Sequence, residues 1–452
     1  MKREAADARV MTREQAQSLI ERTIKMSKAD SIQVNIGGGY NANIRFADNR
    51  ISTAGGVSTA TVNVQSSFGP KHAVVSTNDF TDAGLERAVR QSEALAKLAP
   101  DDPEAMPPLP PQKYEDVKTY FDVTGSLSPE ARAETARQAI EPCKAAGDLK
   151  AAGFLLTGIG AGAVGNNTGL FAYQSGTSSN YTLTVRTTDG TGSGWAGADH
   201  PDWSQVDVKR VAKQAIDKAR LSRNPVAIEP GRYTVILEPQ AVGDLVQLLA
   251  FSLDARSADE GRSPFSKQGG GTKIGEKIVD ERVTIFSDPA DPQLLSNTFD
   301  GQGLPARRQV FIENGVLKKL TYSRFWAKKN NKEPDAGTNA VKFVGGTQTT
   351  EDLIKSTNRG ILVTRLWYLR QVDPRTILYT GLTRDGTFLI ENGKITKSVK
   401  NLRFNESPLF MLNNLEALGQ TARVAGTEGG GDVVMPAIKV KDFNFTSLSD
   451  AV

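Results

Sequence analysis

The chain has 452 residues, of which only two are histidine, His72 and His200, and one is cysteine, Cys143. A catalytic zinc ion usually takes three protein ligands drawn mostly from His, Cys and carboxylates, so a histidine-built zinc site within this chain is not expected. Its 55 Lys and Arg against 51 Asp and Glu leave a formal charge of +4, too little over so large a surface to mark a nucleic-acid binder, and the single cysteine excludes an intrachain disulfide and fits a reducing compartment.

The N-terminus, Met1 to Met11, is charged and polar with no apolar h-region after it, and no long apolar run follows. A soluble, cytoplasmic protein without a membrane partner is expected. At roughly 100–200 residues per domain, the length suggests two or three domains. Thr12 opens a first helix, with Gln15 placed for a capping box and Leu19, Ile20 and Ile24 on one apolar face. From Ile32 to Ser76 the pattern turns to strands, with β-branched alternation over Ser58 to Val64 and Gly37, Gly38 and Gly39 as punctuation, which predicts antiparallel hairpins. Thr81 caps a second helix carrying Leu85, Ala88, Val89 and Ser92 on one face. This closes a helix–strands–helix domain over residues 1–99. Six prolines between Pro100 and Pro111 predict an extended, stiff linker over 100–127. Ser128 followed by Pro129 starts the next helix with a cap and a pre-set first position.

The remainder divides into a central α+β region, 128–226, and a β-rich C-terminal domain, 227–452. Asp189-Gly190, Asp300-Gly301, Asn314-Gly315, Asp385-Gly386 and Asn392-Gly393 suit tight turns with positive φ and favour a large, mainly antiparallel β domain. Two helices interrupt it, Val208 to Ala219 and Ala241 to about Leu253, each with an apolar stripe. The fold class is therefore α+β.

Several local patterns mimic chemistry. Gly160 to Gly165 matches G-x-G-x-x-G after a strand-like run, but Asn166 to Gly169 leads into another strand, so no helix N-terminus is offered to a pyrophosphate and a glycine-rich hairpin is the better reading. His200 lies between Asp199 and Asp202, with Trp195 and Trp203 nearby, which permits a base with an orienting carboxylate or, more plainly, a solvated loop histidine. Cys143 sits in a helix as a small packing residue. The pairs Arg307-Arg308, Lys318-Lys319 and Lys328-Lys329 lack the aromatic interleaving of a nucleic-acid surface and read as a solvated face.

One ordered set of segments carries a resemblance. Asn43 to Gly56, Asn167-Thr168-Gly169, Tyr181 to Thr187, Pro230 to Leu237, Gly303 to Arg308, Val310 to Leu317, Arg359 to Thr364 and Phe388 to Ile395 together resemble the TldD/PmbA family, also called the modulator of DNA gyrase family. The likeness runs over roughly residues 12 to 447. Active members of that family are zinc-dependent peptidases with HExxxH on the helix after the Pro230 to Leu237 strand and a cysteine ligand in a glycine-rich stretch near the C-terminus. Here the matching positions are Gln247, Leu248 and Ser252, and the stretch reads Gly426 to Gly431 without a cysteine. The resemblance is thus to the PmbA side of the family, also called TldE, which lacks these ligands. It implies a non-catalytic subunit with no catalytic, cofactor or metal residues of its own. The zinc belongs to a TldD-like partner in a heterodimer, which cuts an unfolded, extended peptide. No residue supports the DNA reading that the gyrase name invites. Two alternatives stand beside this one: a peptidase in its own right, with metal on carboxylates such as Asp254, Asp259 and Glu260, and a homodimer that holds peptides without cleaving them.

Overall fold

A computed structural model of the chain describes residues 10–337, 340–427 and 430–449. The first helix, α1 (Arg13–Met26), has the expected capping box, with Thr12 Oγ1 accepting from Gln15 N and Gln15 returning its side chain to Thr12 N. Three strands follow as hairpins: β1 (Ser31–Ala47), β2 (Arg50–Phe68) and β3 (Lys71–Thr77). Thr81 caps α2 (Asp82–Leu98), and Ser128 caps α3 (Pro129–Ala146) with Pro129 in the first turn. After these come β4 (Leu149–Asn166), β5 (Phe171–Thr187), β6 (Ser193–Asp199) and α4 (Val208–Leu221).

The six strands form one antiparallel sheet in the order β3-β2-β1-β4-β5-β6. β1 and β4 pair without interruption from Gln33↔Asn166 to Phe46↔Gly153, so the sheet runs across the break expected near Ala99, which is the end of α2. Alternation sets its two faces. Ile32, Val34, Ile36, Ala42, Ile44 and Phe46 are buried under helices, while Gln33, Asn35, Asn41, Asn43 and Arg45 point the other way. α1 and α2 cover one end, with Leu19, Ile20, Leu85 and Val89 on Val34, Val62 and Val64. At the other end α3 and α4 place Ile140, Cys143, Val211 and Ala215 against Ile44, Phe46, Leu155 and Val185. Cys143 is fully buried there, and burial pushes its thiol up to about 11, in keeping with a packing role.

The proline-rich stretch is extended but not free. Leu109 O accepts from Asn166 Nδ2 at 2.8 Å, Tyr114 Oη donates to Gly303 O at 2.8 Å, and Thr119 O accepts from Thr177 N at 2.9 Å. It straps the first sheet to the C-terminal unit, where a spacer was expected.

That unit is a 13-stranded sheet around the strand Val433–Leu448, which pairs with Leu415–Arg423, Leu402–Glu406 and β7 (Gly231–Leu237). It is mainly antiparallel as expected, with parallel pairings of β7 to Arg359–Val363 and of Val341–Phe343 to Val433–Val434. Asn314-Gly315 and Asn392-Gly393 each take positive φ at both residues and close tight hairpins. Asp300-Gly301 differs: the Asp300 carboxylate accepts from Gln302 N and Leu304 N, giving a side-chain-closed loop. Gly160 to Gly165 lies inside β4, and the chain turns only after it, into β5; no phosphate-binding turn is formed. Among the described residues no helix is long and apolar enough to cross a membrane.

Candidate functional site at the helix and loop junction

β7 leads directly into α5 (Pro239–Phe251), whose first position is filled by proline. Glu238, at the N-cap, makes no capping bond and instead accepts from Lys218 Nζ at 2.6 Å, tying this corner to α4. Val242, Leu245, Val246 and Leu249 are wholly buried in the C-terminal core. Gln247 is buried as well, at 1% exposure, so its amide needs partners. It finds them in the glycine-rich loop: Thr427 Oγ1 donates to Gln247 Oε1 at 2.6 Å, and Gln247 Nε2 donates to Gly430 O. A Cβ on Gly243 would stand 3.1 Å from Val424, and one on Gly197 would stand 2.8 Å from Ala425, so the loop is pressed between α5 and β6.

The fold therefore brings together two stretches separated by 183 residues, the α5 position of Gln247 and the segment Gly426 to Gly431, of which Glu428 and Gly429 lie outside the described residues. As a zinc ligand set these residues do not fit. Both ends of the Gln247 amide are spent on the loop, Leu248 has no lone pair and packs on the core, and Ser252 Oγ donates to Leu248 O at 3.0 Å. Among the described residues no group of three His, Cys, Asp or Glu could hold a metal ion. The acidic candidates are engaged one by one. Asp254 caps a short helix by accepting from Ser257 N at 2.7 Å, Asp259 accepts from Trp326 Nε1 at 2.7 Å, and Glu260 pairs with Arg256 at 3.0 Å and Arg262 at 2.5 Å.

Beside the junction lies a cleft of about 570 Å³ between the helix-free face of the first sheet and the C-terminal unit. Gly39, Gly158, Gly160, Gly162 and Gly176 form its floor, brought side by side by the pairings Gly39↔Gly160↔Gly176 and Asn41↔Gly158↔Ser178. Its wall is a half-buried ion cluster. Arg423 Nε donates to Asp199 Oδ1 at 2.8 Å, its Nη1 to Leu294 O at 2.8 Å, and its Nη2 to Asp432. Burial pushes the Asp432 carboxyl up to about 6 against the pull of Arg423, and Asp199 adds to the rise.

His200 is half-buried, and the Asp202 backbone holds its Nδ1 side, with Asp202 N at 2.9 Å and Asp202 O at 3.1 Å. Burial and then Arg423 lower its affinity for a second proton. Neither neighbouring carboxylate orients the ring: Asp199 serves Arg423, and Asp202 accepts from Ser204 N. The basic pairs are dispersed, with Arg308 near Asp288, Lys319 on Asp335 and Lys329 over the Trp326 ring. Sequence reading missed Arg423 and Asp432. Asp199 is 224 residues from Arg423, and no local pattern announces such a pairing.

A mixed α+β chain with this helix, loop and cleft falls in a class of metallopeptidase-like folds. Residues 34–96, 123–223 and 230–447 match, in order, the PmbA/TldA metallopeptidase domain 1, central domain and C-terminal domain, and the chain belongs to the PmbA/TldD family. It is 27% identical over 236 residues to a metalloprotease of Methanothermobacter thermautotrophicus, covering 48% of each chain. It is 21% identical over 252 residues to the metalloprotease PmbA of Escherichia coli O157:H7, covering 53% of this chain and 51% of that one. These alignments span about half the length of the curated relatives. The crystal structure of TldE from Thermococcus kodakarensis superimposes with a TM-score of 0.85 at 20% identity, over 95% of this chain and 99% of that one, a likeness of fold.

Proposed function

We propose that this chain is the non-catalytic, PmbA/TldE-like subunit of a peptidase pair, joined to a zinc-bearing TldD-like partner that cuts unfolded peptides. The observation that carries this reading is the junction of α5 with the glycine-rich loop. By the family resemblance Gln247, Leu248 and Ser252 correspond to the positions where active members carry His, Glu and His, and here the Gln247 amide is hydrogen-bonded to the loop, with no ligand set there among the described residues. Zinc and the general base would then come from the partner. This chain's contribution is to hold peptide, for which the glycine-floored cleft next to the junction is suited: a bare sheet surface accepts extended chain with little side-chain selection.

An edge suited to a partner is also present. β3 pairs with β2 only from Val62 onward, which leaves Arg50–Thr61 with no outer neighbour among the described residues. Native edge strands are usually guarded by Lys, Pro or bulges; Ile51 to Gln65 carries no charge and no proline, and its register breaks only at Ser52, opposite Arg45 and Phe46. Ile51 and Val57 are exposed on it. Such an edge is protected once a partner chain covers it.

The test is to purify this chain alone, without a histidine tag or chelator, and again with a TldD-like chain, then measure zinc per chain and cleavage of an unfolded casein-type peptide. Metal near zero and no cleavage alone, with cleavage in the pair, is the expected result. One tightly held metal per chain with activity in isolation would overturn it and return attention to Asp254, Asp259 and Glu260.

A further inference from the structure

On the C-terminal unit, a second cleft of about 690 Å³ opens between the start of β7, the loop before the strand Leu378–Thr383, and the short helix Pro408–Asn413. Arg232, Lys273 and Arg375 line it, from three separate stretches of chain. None of the three forms an ion pair of 4.0 Å or less among the described residues, although they share one cleft. The Arg232 guanidinium lies 5.6 Å from the Phe410 ring centroid, and Lys273 Nζ donates to Pro264 O at 2.7 Å, so both charges are held at the cleft wall. Arg375 is exposed, makes no side-chain hydrogen bond among the described residues, and has Asp373 beside it, whose carboxylate accepts from Arg375 N at 2.9 Å.

The only carboxylate among the lining residues is Glu406, which is buried. It accepts from Ser407 N at 2.9 Å and Asn444 N at 3.2 Å, and burial pushes it up to about 7, so it offsets the three cations only in part near neutral pH. Glu406 in the cleft and Asp373 beside Arg375 offset these like charges only in part, and none of the described lining residues offsets the remainder. An anion entering the cleft would. The remaining lining includes amide side chains, Asn405, Asn413 and Asn444, and the apolar Leu409 and exposed Phe410. Phosphate alone would use the cations and leave the apolar wall wet; a peptide terminus uses both.

We propose that the Arg232, Lys273 and Arg375 cleft is a carboxylate-binding subsite that takes the free C-terminus of a peptide, its last apolar side chain against Leu409 and Phe410. The subsite deepens the peptide-handling reading and rests on it for the identity of the ligand, but it is measured on this chain alone.

The probe is a short alanine-rich peptide ending in leucine, fluorescein-labelled at its N-terminus, compared by fluorescence anisotropy with the same peptide as its C-terminal amide. The free acid is expected to bind about tenfold more tightly than the amide, and Arg375→Ala to weaken it by about tenfold, as loss of one charge-assisted hydrogen bond does. Arg375→Lys should restore most of the loss, and an unchanged thermal midpoint in both variants excludes misfolding. Equal binding of acid and amide, no effect of Arg375→Ala, or binding of inorganic phosphate but not of the peptide would each overturn the proposal. If the acid fails to bind while the pair with a TldD-like chain still cleaves peptide, the subsite falls and the subunit reading stands; binding here without cleavage in the pair gives the reverse.

Discussion

In β1 buried and more exposed positions alternate over Ser31 to Ile36 and again over Asn41 to Ala47, whereas the strand Val433–Leu448 buries six residues in a row, Val433 to Ile438. The first pattern belongs to a sheet with helices on one face and a free face on the other. The second belongs to a sheet covered on both sides, with α5 beneath and other segments above. The two sheets therefore differ in exposure: one leaves a face open to the cleft, and the other seals a core that holds α5 and its loop in place. Substitutions on the free face should change binding with little loss of fold, while substitutions in the sealed sheet should do the opposite.

The largest expected effect tests the sealed side. Phe443 is 1% exposed and packs with its ring centroid 5.5 Å from that of Phe404 and 5.2 Å from that of Phe445. Phe443→Ala should cost about 3–5 kcal/mol in a urea unfolding experiment, because it removes apolar contact and leaves a cavity. Asn43→Ala, on the free face, should stay within about 0.5 kcal/mol of the parent. Similar losses in both would erase the distinction between the sheets.

A smaller effect probes a buried carboxyl among these strands. Glu406 lies in Leu402–Glu406 at 3% exposure, and burial raises its pKa from the ordinary 4.5 to about 7. The folded state therefore holds the proton more tightly than the unfolded chain does. Stability from this group is complete below about pH 4.5 and is lost as pH rises toward 7. Relative to Glu406→Gln, the parent should lose up to about 3 kcal/mol between pH 4.5 and 8, the size that a shift of this extent implies. A constant difference between the two proteins across that range would mean that Glu406 is not sealed from water.

Much of the first sheet can be read locally because its determinants are local. Thr12 with Gln15, Thr81, and Ser128 with Pro129 cap helices where their side chains meet backbone N–H groups within three residues. Asn-Gly pairs close hairpins for the same reason: the left-handed backbone is set by the two residues themselves. Asp300-Gly301 misled because a carboxylate can also close a loop through its own side chain. The sealed sheet was less legible. Six consecutive buried residues have no period to separate strand from helix, and the parallel pairing of β7 with Arg359–Val363 spans more than 120 residues. At the site, Gln247 and the Gly426 to Gly431 stretch were each visible, through the family resemblance. Their meeting through Thr427, and the Arg423 cluster beside them, arise only when distant segments pack.

The smallest effect concerns the glycine floor and decides whether the free face is a working surface. Neither Gly162 nor Gly176 takes positive φ, and a Cβ there would meet nothing nearer than 4.0 Å and 3.6 Å respectively. Gly39 is different, since its added Cβ would lie 2.0 Å from Ile159 O and backbone approach alone requires glycine. At Gly162 and Gly176 neither conformation nor packing asks for glycine, and glycine inside a strand costs about 0.5–1 kcal/mol relative to alanine. Gly162→Ala and Gly176→Ala should therefore leave stability unchanged or raise it by up to that amount. If the bare floor exists so that an extended peptide can lie on it, the same variants, paired with a TldD-like chain, should raise KM for an unfolded peptide several-fold with kcat nearly constant, since the added methyl groups lift the peptide without touching the partner's chemistry. Stability gained with KM unchanged would make the glycines incidental and remove the functional side of the contrast between the two sheets.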